Sequence, residues 1–500
     1  MLQFGVLLPD HLFTNLNEVI KMKGTQEQEN IWNEIEHGNS HMVIKAGAGV
    51  GKTFTIVHGA SLLDGENAFL CFNKSIQKEL AERLPAGVEA KTFHALGFAA
   101  FRNAGIRTKV YFKKTNEIIT DILGKDYRSN YPLAKLVGLI KGSMIEANDE
   151  TAIRGLIDKF NIQFYEDNDE TLALEYIEDI LSECLKQTHR IDFDDMIWMP
   201  LKLNMPMPRF DTLFVDEAQD FNEMQRELIF RCVQDTGRCI VVGDPNQAIY
   251  GFRGADSDSM DIFKGQLEQT NRAVTEFPLS LTWRCPKSVV AEANRFVRDF
   301  HCMPDAENGR VHVEAHFHPK KDDMVLCRYN APLVGAFYDL ILQGKSAYIL
   351  GRDMTKNLLN YVGQVTKKGG MSSKEFSELL HTKFKAEYTK LMKADKENQA
   401  NTLEDKYNCL KIFASRADTV AGIRAEIEKV FAGNEEGDIM LSTVHKAKGL
   451  EADNVYILAT ERMPHPKARN MREELNICYV AITRAKKNLF YVGPRPAAKV

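Results

Sequence analysis

Val43-Ile-Lys-Ala-Gly-Ala-Gly-Val-Gly-Lys-Thr-Phe54 joins a short apolar run to a glycine-rich turn and then to the start of a helical pattern. Glycines let a backbone wrap closely around a phosphate, and the turn N–H groups and helix N-terminus favour the anion. In this arrangement Lys52 reaches the β/γ-phosphates and the Thr53 hydroxyl faces Mg2+. The cradle is Ala46, Gly47, Ala48, Gly49, Val50 and Gly51; Ala46 stands where the general pattern has a first glycine. A strand in front, with Lys-Thr at the right offset, separates this stretch from a chance glycine-rich turn.

The same alternation repeats outward from this point. Met42–Ala46, Ala68–Phe72, Thr212–Asp216, Cys239–Gly243, Met324–Arg328, Ala347–Gly351, Ile439–Thr443, Val455–Ala459 and Leu489–Gly493 are short apolar runs ending in polar or glycine-rich turns. Such runs suit strands buried on both faces of a parallel sheet. With helical patterns between them they indicate an α/β chain, whose ligands sit at the carboxyl ends of the strands. Phe98 to about Arg190 and Lys367 to about Glu436 break the alternation with helical spacing, and they read as two helical insertions.

The second half of a nucleotide site should be an apolar strand ending in an acid. Leu213-Phe-Val-Asp-Glu217 supplies it: Asp216 for the metal and Glu217 to polarise the attacking water. Positive charge must also meet the γ-phosphate in the transition state. Arg284 and Arg484 are candidates, though composition and spacing do not select them.

The bulk numbers set outer limits. A chain of 500 residues calls for several domains. Hydrophobic residues at 44% and charged residues at 27% are the balance of a soluble globular protein. A net charge of -5 is no nucleic-acid footprint, yet it leaves room for a locally basic groove. The nine cysteines form no CxxC pair, so no disulfide framework or zinc site is expected. No run approaches membrane-spanning length, and Met1–Leu8 lacks the features of a signal peptide. The expected location is cytoplasmic or nuclear.

An ordered set of motifs extends the reading. It runs through Gly24-Thr-Gln-Glu-Gln28, the glycine-rich loop, Phe72-Asn-Lys74, Thr92-Phe-His-Ala-Leu-Gly97, Asp192-Phe-Asp-Asp195 and Asp216-Glu-Ala-Gln-Asp220. It continues with Gly243-Asp-Pro-Asn-Gln-Ala-Ile-Tyr-Gly-Phe-Arg-Gly-Ala255, Trp283-Arg284 and Leu326-Cys-Arg-Tyr-Asn330. Ser442-Thr-Val-His-Lys-Ala-Lys-Gly-Leu-Glu451 and Tyr479-Val-Ala-Ile-Thr-Arg-Ala-Lys486 complete it. Together, in this order, these resemble the superfamily 1 DNA helicases of the UvrD/Rep/PcrA type. The wording of Phe-Asn-Lys and Gly-Phe-Arg-Gly-Ala is most similar to the F-box DNA helicase branch, with no F-box-like segment in front.

The resemblance implies two RecA-like P-loop domains with parallel sheets, each carrying a mainly helical insertion. The expected divisions are 1–97 and 191–280 for the first domain around an insertion at 98–190. The second domain is expected at 281–352 and 437–500, around a short insertion at 353–436. The resemblance gives Gln28 the adenine edge, Trp283 the adenine face in place of a more usual tyrosine, Gln247 the γ-phosphate sensor and Glu451 the ribose. It gives Arg284 and Arg484 the part of arginine fingers on an ATP shared by the two domains. Phe72, Asn73, His94, Tyr250, Phe252, Arg253, Arg328, Asn330, Thr443 and His445 match positions on or near a DNA path, where aromatic side chains stack on bases. Asp194 and Asp195 read as structural.

The implied activity is ATP- and Mg2+-dependent translocation on single-stranded DNA with duplex unwinding, 3′→5′, in replication, repair or recombination. A translocase that strips proteins from single strands with weak unwinding is the alternative. Implied partners are single strands, single-strand/duplex junctions and replication or recombination proteins. The free protein is expected to be a monomer.

Overall fold

The computed structural model describes residues 24–498, except 72–73, 86, 126, 128, 161, 163, 165–167, 252–257, 367–369, 394–396, 433–436, 466–467 and 469. It divides into two compact units at Ser280/Leu281.

In the first unit the strands are β1 (His41–Ala46), β2 (Asn67–Cys71), β3 (Val88–Thr92), β4 (Lys109–Val110), β5 (Arg190–Ile191), β6 (Phe210–Val215), β7 (Val233–Gly243) and β8 (Val274–Leu279). Six of them form one sheet in the order β3-β2-β6-β7-β1-β8, parallel throughout. β1 lies between β7 and β8, with Ile44 opposite both Val242 and Phe277. Its burial on both faces explains the unbroken apolar run His41–Ala46. The edge strands β3 and β8 are only partly buried. They lack an apolar run, and β8 contains Pro278, which an edge strand tolerates. Neither was legible as a strand in the sequence.

Between β3 and β6 the elements among the described residues are helices, apart from the small parallel pair of β4 and β5. These helices are not a separate body. Ile118, Leu136, Ile140, Ile177 and Ile180 belong to the same apolar core as Val43, Leu70, Leu213 and Val241 of the sheet. Within that core lies an ionic cluster. Lys114 Nζ stands 2.6 Å from Asp195 Oδ2, and Lys141 Nζ stands 2.8 Å from Asp195 Oδ1 and 3.4 Å from Asp192 Oδ2. Lys114, Lys141 and Asp195 are fully buried. Buried charges survive only when paired and hydrogen-bonded. Asp195 is thus structural, in agreement with the sequence reading.

The second unit holds a short parallel pair, β9 (Leu281–Thr282) and β10 (His301–Cys302), and a six-stranded parallel sheet. That sheet is made of β11 (Arg310–His312), β12 (Met324–Cys327), β13 (Ala347–Ile349), β14 (Ile439–Thr443), β15 (Ala452–Leu458) and β16 (Ala485–Val492), in the order β11-β16-β15-β12-β14-β13. All nine apolar runs read from the sequence are strands of the two large sheets. Among the described residues of 352–432 there are four helices, whose Leu358, Phe376, Leu410, Phe413 and Ile423 share one core with Val325, Leu333 and Leu441 of the sheet and its covering helix.

The nine cysteines are free thiols, eight of them buried. Among the described residues no helix is long and apolar enough to cross a membrane, and no cluster of three His, Cys, Asp or Glu could hold a metal.

Candidate functional site

The carboxyl ends of β2, β6, β7 and β1 lie along one edge of the first sheet, and the sequence-predicted residues follow them. After β1 the loop reaches the helix Lys52–Ala60 through Gly49 and Gly51, both at positive φ (67° and 80°). An L side chain is disfavoured in that region, so glycine is what lets the loop curl. Lys52 Nζ donates to Gly47 O (3.3 Å) across the curl. The Thr53 hydroxyl donates to Asp216 Oδ2 (3.3 Å), joining the loop to the end of β6.

Thr53 and Asp216 thus offer a hydroxyl and a carboxylate to one point, the hard oxygen donors that Mg2+ selects. The dense protein around the Asp216 carboxyl, and then the neighbouring Glu217, push its pKa up to about 7, against the pull of Lys52. A carboxylate held so unfavourably is one that a cation would stabilise, so the pair fits the metal.

Glu217 sits at positive φ (57°) at the start of a short 3-10 turn, Ala218–Asp220. Its carboxylate accepts a hydrogen bond from the Gln219 amide. Gln219 Oε1 accepts from the Asp244 N–H (2.9 Å), and the Asp244 carboxylate accepts from Gln247 Nε2 (2.7 Å). Gln219, Asp244 and Gln247 are buried. A continuous relay therefore joins the acid after β6 to the candidate phosphate sensor after β7. Gln219 was quoted in the Asp216–Asp220 motif but given no role, standing beside Ala218 between the acids Glu217 and Asp220.

Gln28 lies on the helix Gln26–His37, in a capping box with Thr25. Its Oε1 accepts from the Thr25 N–H and its Nε2 donates to Thr55 Oγ1, both at 3.0 Å. The Thr55 hydroxyl donates on to Gly51 O (2.9 Å). An amide has two acceptor and two donor positions, so Gln28 retains capacity for a base edge while tied to the phosphate loop.

β2 and β3 pair at Cys71 and Thr92. Phe72 and Asn73 follow Cys71 but lie outside the described residues, as do Phe252 and Arg253. His94 follows Thr92 on the helix Phe93–Asn103, and Tyr250 lies half-buried just after Gln247. The His94 ring meets Phe193 edge-on (5.5 Å), and Phe193 meets Phe112 (4.8 Å). Phe112 is 64% and Phe193 53% exposed. A Cβ on Gly97 would stand 1.9 Å from Met196 O. Only glycine permits the close packing that brings this helix against the segment carrying Phe193. The sequence hid this aromatic row, whose members come from three separate segments.

The second unit carries the remaining candidates. Arg284 Nε lies 2.5 Å from Glu451 Oε2, so the candidate finger and the candidate ribose acid form an ion pair. Arg484 is 1% exposed. It donates to Val480 O (3.0 Å) and Leu450 O (3.1 Å). Burial, followed by the charge of Arg284, lowers its pKa to about 10. Trp283 is 51% exposed, free to offer a ring face.

The ends of β12 and β14 pair at Cys327 and Thr443, which brings Arg328 and Asn330 to the same edge as Thr443 and His445. Arg328 is held by Glu474, with Nη2–Oε1 at 2.8 Å.

Two family models match the chain: the UvrD/REP helicase N-terminal domain over residues 27–268 and the UvrD-like helicase C-terminal domain over residues 336–492. The chain belongs to the UvrD-like helicases. This family uses ATP with Mg2+. Among curated relatives, F-box DNA helicase protein 1 of Schizosaccharomyces pombe is 25% identical over 89% of this UvrD-like chain and 55% of its own length. The ATP-dependent DNA helicase PcrA of Bacillus subtilis is 23% identical over 91% of this chain and 81% of its own. F-box DNA helicase 1 of Gallus gallus is 25% identical over 96% and 50%. The chain thus spans about half the length of the F-box helicases it matches and most of the bacterial one.

Proposed function

We propose that this chain is an ATP-driven motor that moves along single-stranded DNA, 3′→5′, and unwinds duplexes in replication, repair or recombination. The observation that carries the reading is the hydrogen-bonded set at one sheet edge. Thr53 is tied to Asp216, and Glu217 is tied through Gln219 and Asp244 to Gln247. Lys52 would bind the β/γ-phosphates. Thr53 and Asp216 would hold Mg2+, which supplies charge neutralisation on the phosphates when bound. Glu217 would orient the attacking water and accept its proton, and Gln247 would sense the γ-phosphate. Arg284 and Arg484 are assigned the part of arginine fingers by family resemblance.

Residues 98–190 and 353–436 are the two insertions in this reading. The strand would be met in the first unit by His94, Phe193, Phe112 and Tyr250, and in the second by Arg328, Asn330, Thr443 and His445. Stacking on exposed rings is sequence-tolerant, as a motor requires. Free thiols agree with a reducing compartment, cytoplasmic or nuclear. Single-strand/duplex junctions are the natural substrate, with replication or recombination proteins as partners and a monomer as the free form.

The test is ATP turnover with and without oligo(dT), beside displacement of a labelled strand from duplexes with a 3′ or a 5′ tail. Stimulation by DNA, displacement from the 3′ tail and loss of both in Lys52→Ala are expected. Turnover indifferent to DNA, or retained in Lys52→Ala, would overturn the assignment. Removal of bound protein without strand displacement would replace unwinding by stripping.

A further inference from the structure

The helix Asn330–Leu342 begins at the turn proposed to meet the strand, and its own N-cap residue, Tyr329, makes no side-chain cap. The first N–H groups of a helix need acceptors. Here the acceptor comes from the second insertion. The Asp405 carboxylate accepts from Asn330 N (3.1 and 3.0 Å), Ala331 N (2.9 Å) and Asn330 Nδ2 (2.9 Å). It caps the helix from 75 residues away and also fixes the Asn330 side chain. Its neighbour Glu404 lies 3.7 Å from Arg462, whose guanidinium stands 4.2 Å from the centre of the Tyr329 ring. Two adjacent acids of one insertion helix thus bear on the turn Arg328–Asn330, Asp405 directly and Glu404 through Arg462.

That helix, Glu397–Ala414, is firmly seated. Ala400, Leu403, Cys409, Leu410 and Phe413 are buried, and the Arg416 guanidinium lies 3.9 Å from the Tyr338 ring on the capped helix. Tyr338 also donates to Glu426 Oε2 (2.8 Å), on a further insertion helix. Asp405 is therefore a fixed support and not a mobile plug.

We infer that Asp405 is a positioning residue for DNA. The short second insertion acts on the strand from behind, by holding the Arg328–Asn330 turn in the form that meets a sugar-phosphate backbone. Asn330 keeps its amide oxygen and one N–H for the strand while Asp405 occupies the other N–H. The inference rests on the motor reading above.

The experiment compares wild type, Asp405→Ala and Asp405→Asn as full-length chains, with labelled oligo(dT) as the probe. Two quantities are read: the Kd for labelled oligo(dT) from anisotropy, and the oligo(dT) concentration that half-maximally stimulates ATP turnover. For Asp405→Ala both should rise about 10-fold. Turnover without DNA, and turnover at saturating DNA, should stay within about twofold of wild type. General damage to the fold would lower those two rates as well. Asp405→Asn keeps one oxygen acceptor and should give an intermediate shift of at least about threefold. It decides the matter if Asp405→Ala does not fold. A folded variant with wild-type DNA affinity would overturn the inference. A wild-type chain that hydrolyses ATP without response to DNA would overturn the motor reading first, and this inference with it.

Discussion

Replacing Gln219 by Glu alters one end of the relay and leaves the other intact. The new carboxylate can still accept the Asp244 N–H, as Gln219 Oε1 does at 2.9 Å. Its second oxygen replaces the amide that donates to Glu217. Two negative charges about 4 Å apart repel by roughly 4 kcal/mol at an effective dielectric of about 20. Glu217 relieves this by turning away from the place where it orients water or by sharing a proton with the new acid, and either weakens it as the water-orienting base. If about half of the repulsion is felt as lost transition-state positioning, roughly 2 kcal/mol, turnover falls about 30-fold. Lys52 and the loop glycines are untouched, so the KM for ATP should stay within about threefold. The assay is steady-state ATP hydrolysis with saturating oligo(dT) and Mg2+, with Glu217→Gln setting the floor. A folded Gln219→Glu chain turning over at the wild-type rate would show that the relay does not position the acid.

Phe193→Ala should weaken oligo(dT) binding by about 1–3 kcal/mol, roughly 5- to 150-fold, for the loss of one stacked base. Its exposure means little change in stability, and anisotropy beside thermal melting checks both. His41 gives a pH dependence: burial, with the charges of Arg272 and Arg238, lowers its pKa to about 4. Its Nδ1 accepts the Cys239 N–H (3.0 Å). The unfolded chain takes up a proton below about pH 6.5 while the folded chain resists until about pH 4. Stability should thus fall as pH drops through that window, by about 2 kcal/mol at pH 5. Urea unfolding at pH 7 and pH 5 should show the loss, and His41→Gln should flatten it.

What the sequence disclosed depended on distance along the chain. Strands buried on both faces left continuous apolar runs, and the chemistry followed directly after them, as with Lys52-Thr53 after β1 and Asp216-Glu217 after β6. β3, β8 and β11 are edge strands that are mostly only partly buried and left no such run, although the fourth edge strand, β13, did. Gln219, Phe112, Phe193 and Asp405 act through neighbours brought to them by folding, and no local pattern marks them. Arg328 and Asn330 were placed by family wording, which gave no sign that Glu474 and Asp405 already hold them.

The strand order of the first sheet also sets a timetable for synthesis. β1, which presents the phosphate loop, is translated first, yet its two neighbours lie about 200 and 230 residues further along. At roughly 5–20 residues per second the ribosome needs on the order of 10–50 s to supply them. Throughout that interval an apolar strand flanked by no partner waits outside the exit tunnel. The nucleotide pocket cannot close before β8, about 230 residues after β1, has been made. Slower translation before β7 would prolong that exposure and favour aggregation, whereas an early holding chaperone on residues 41–46 would protect the nascent chain.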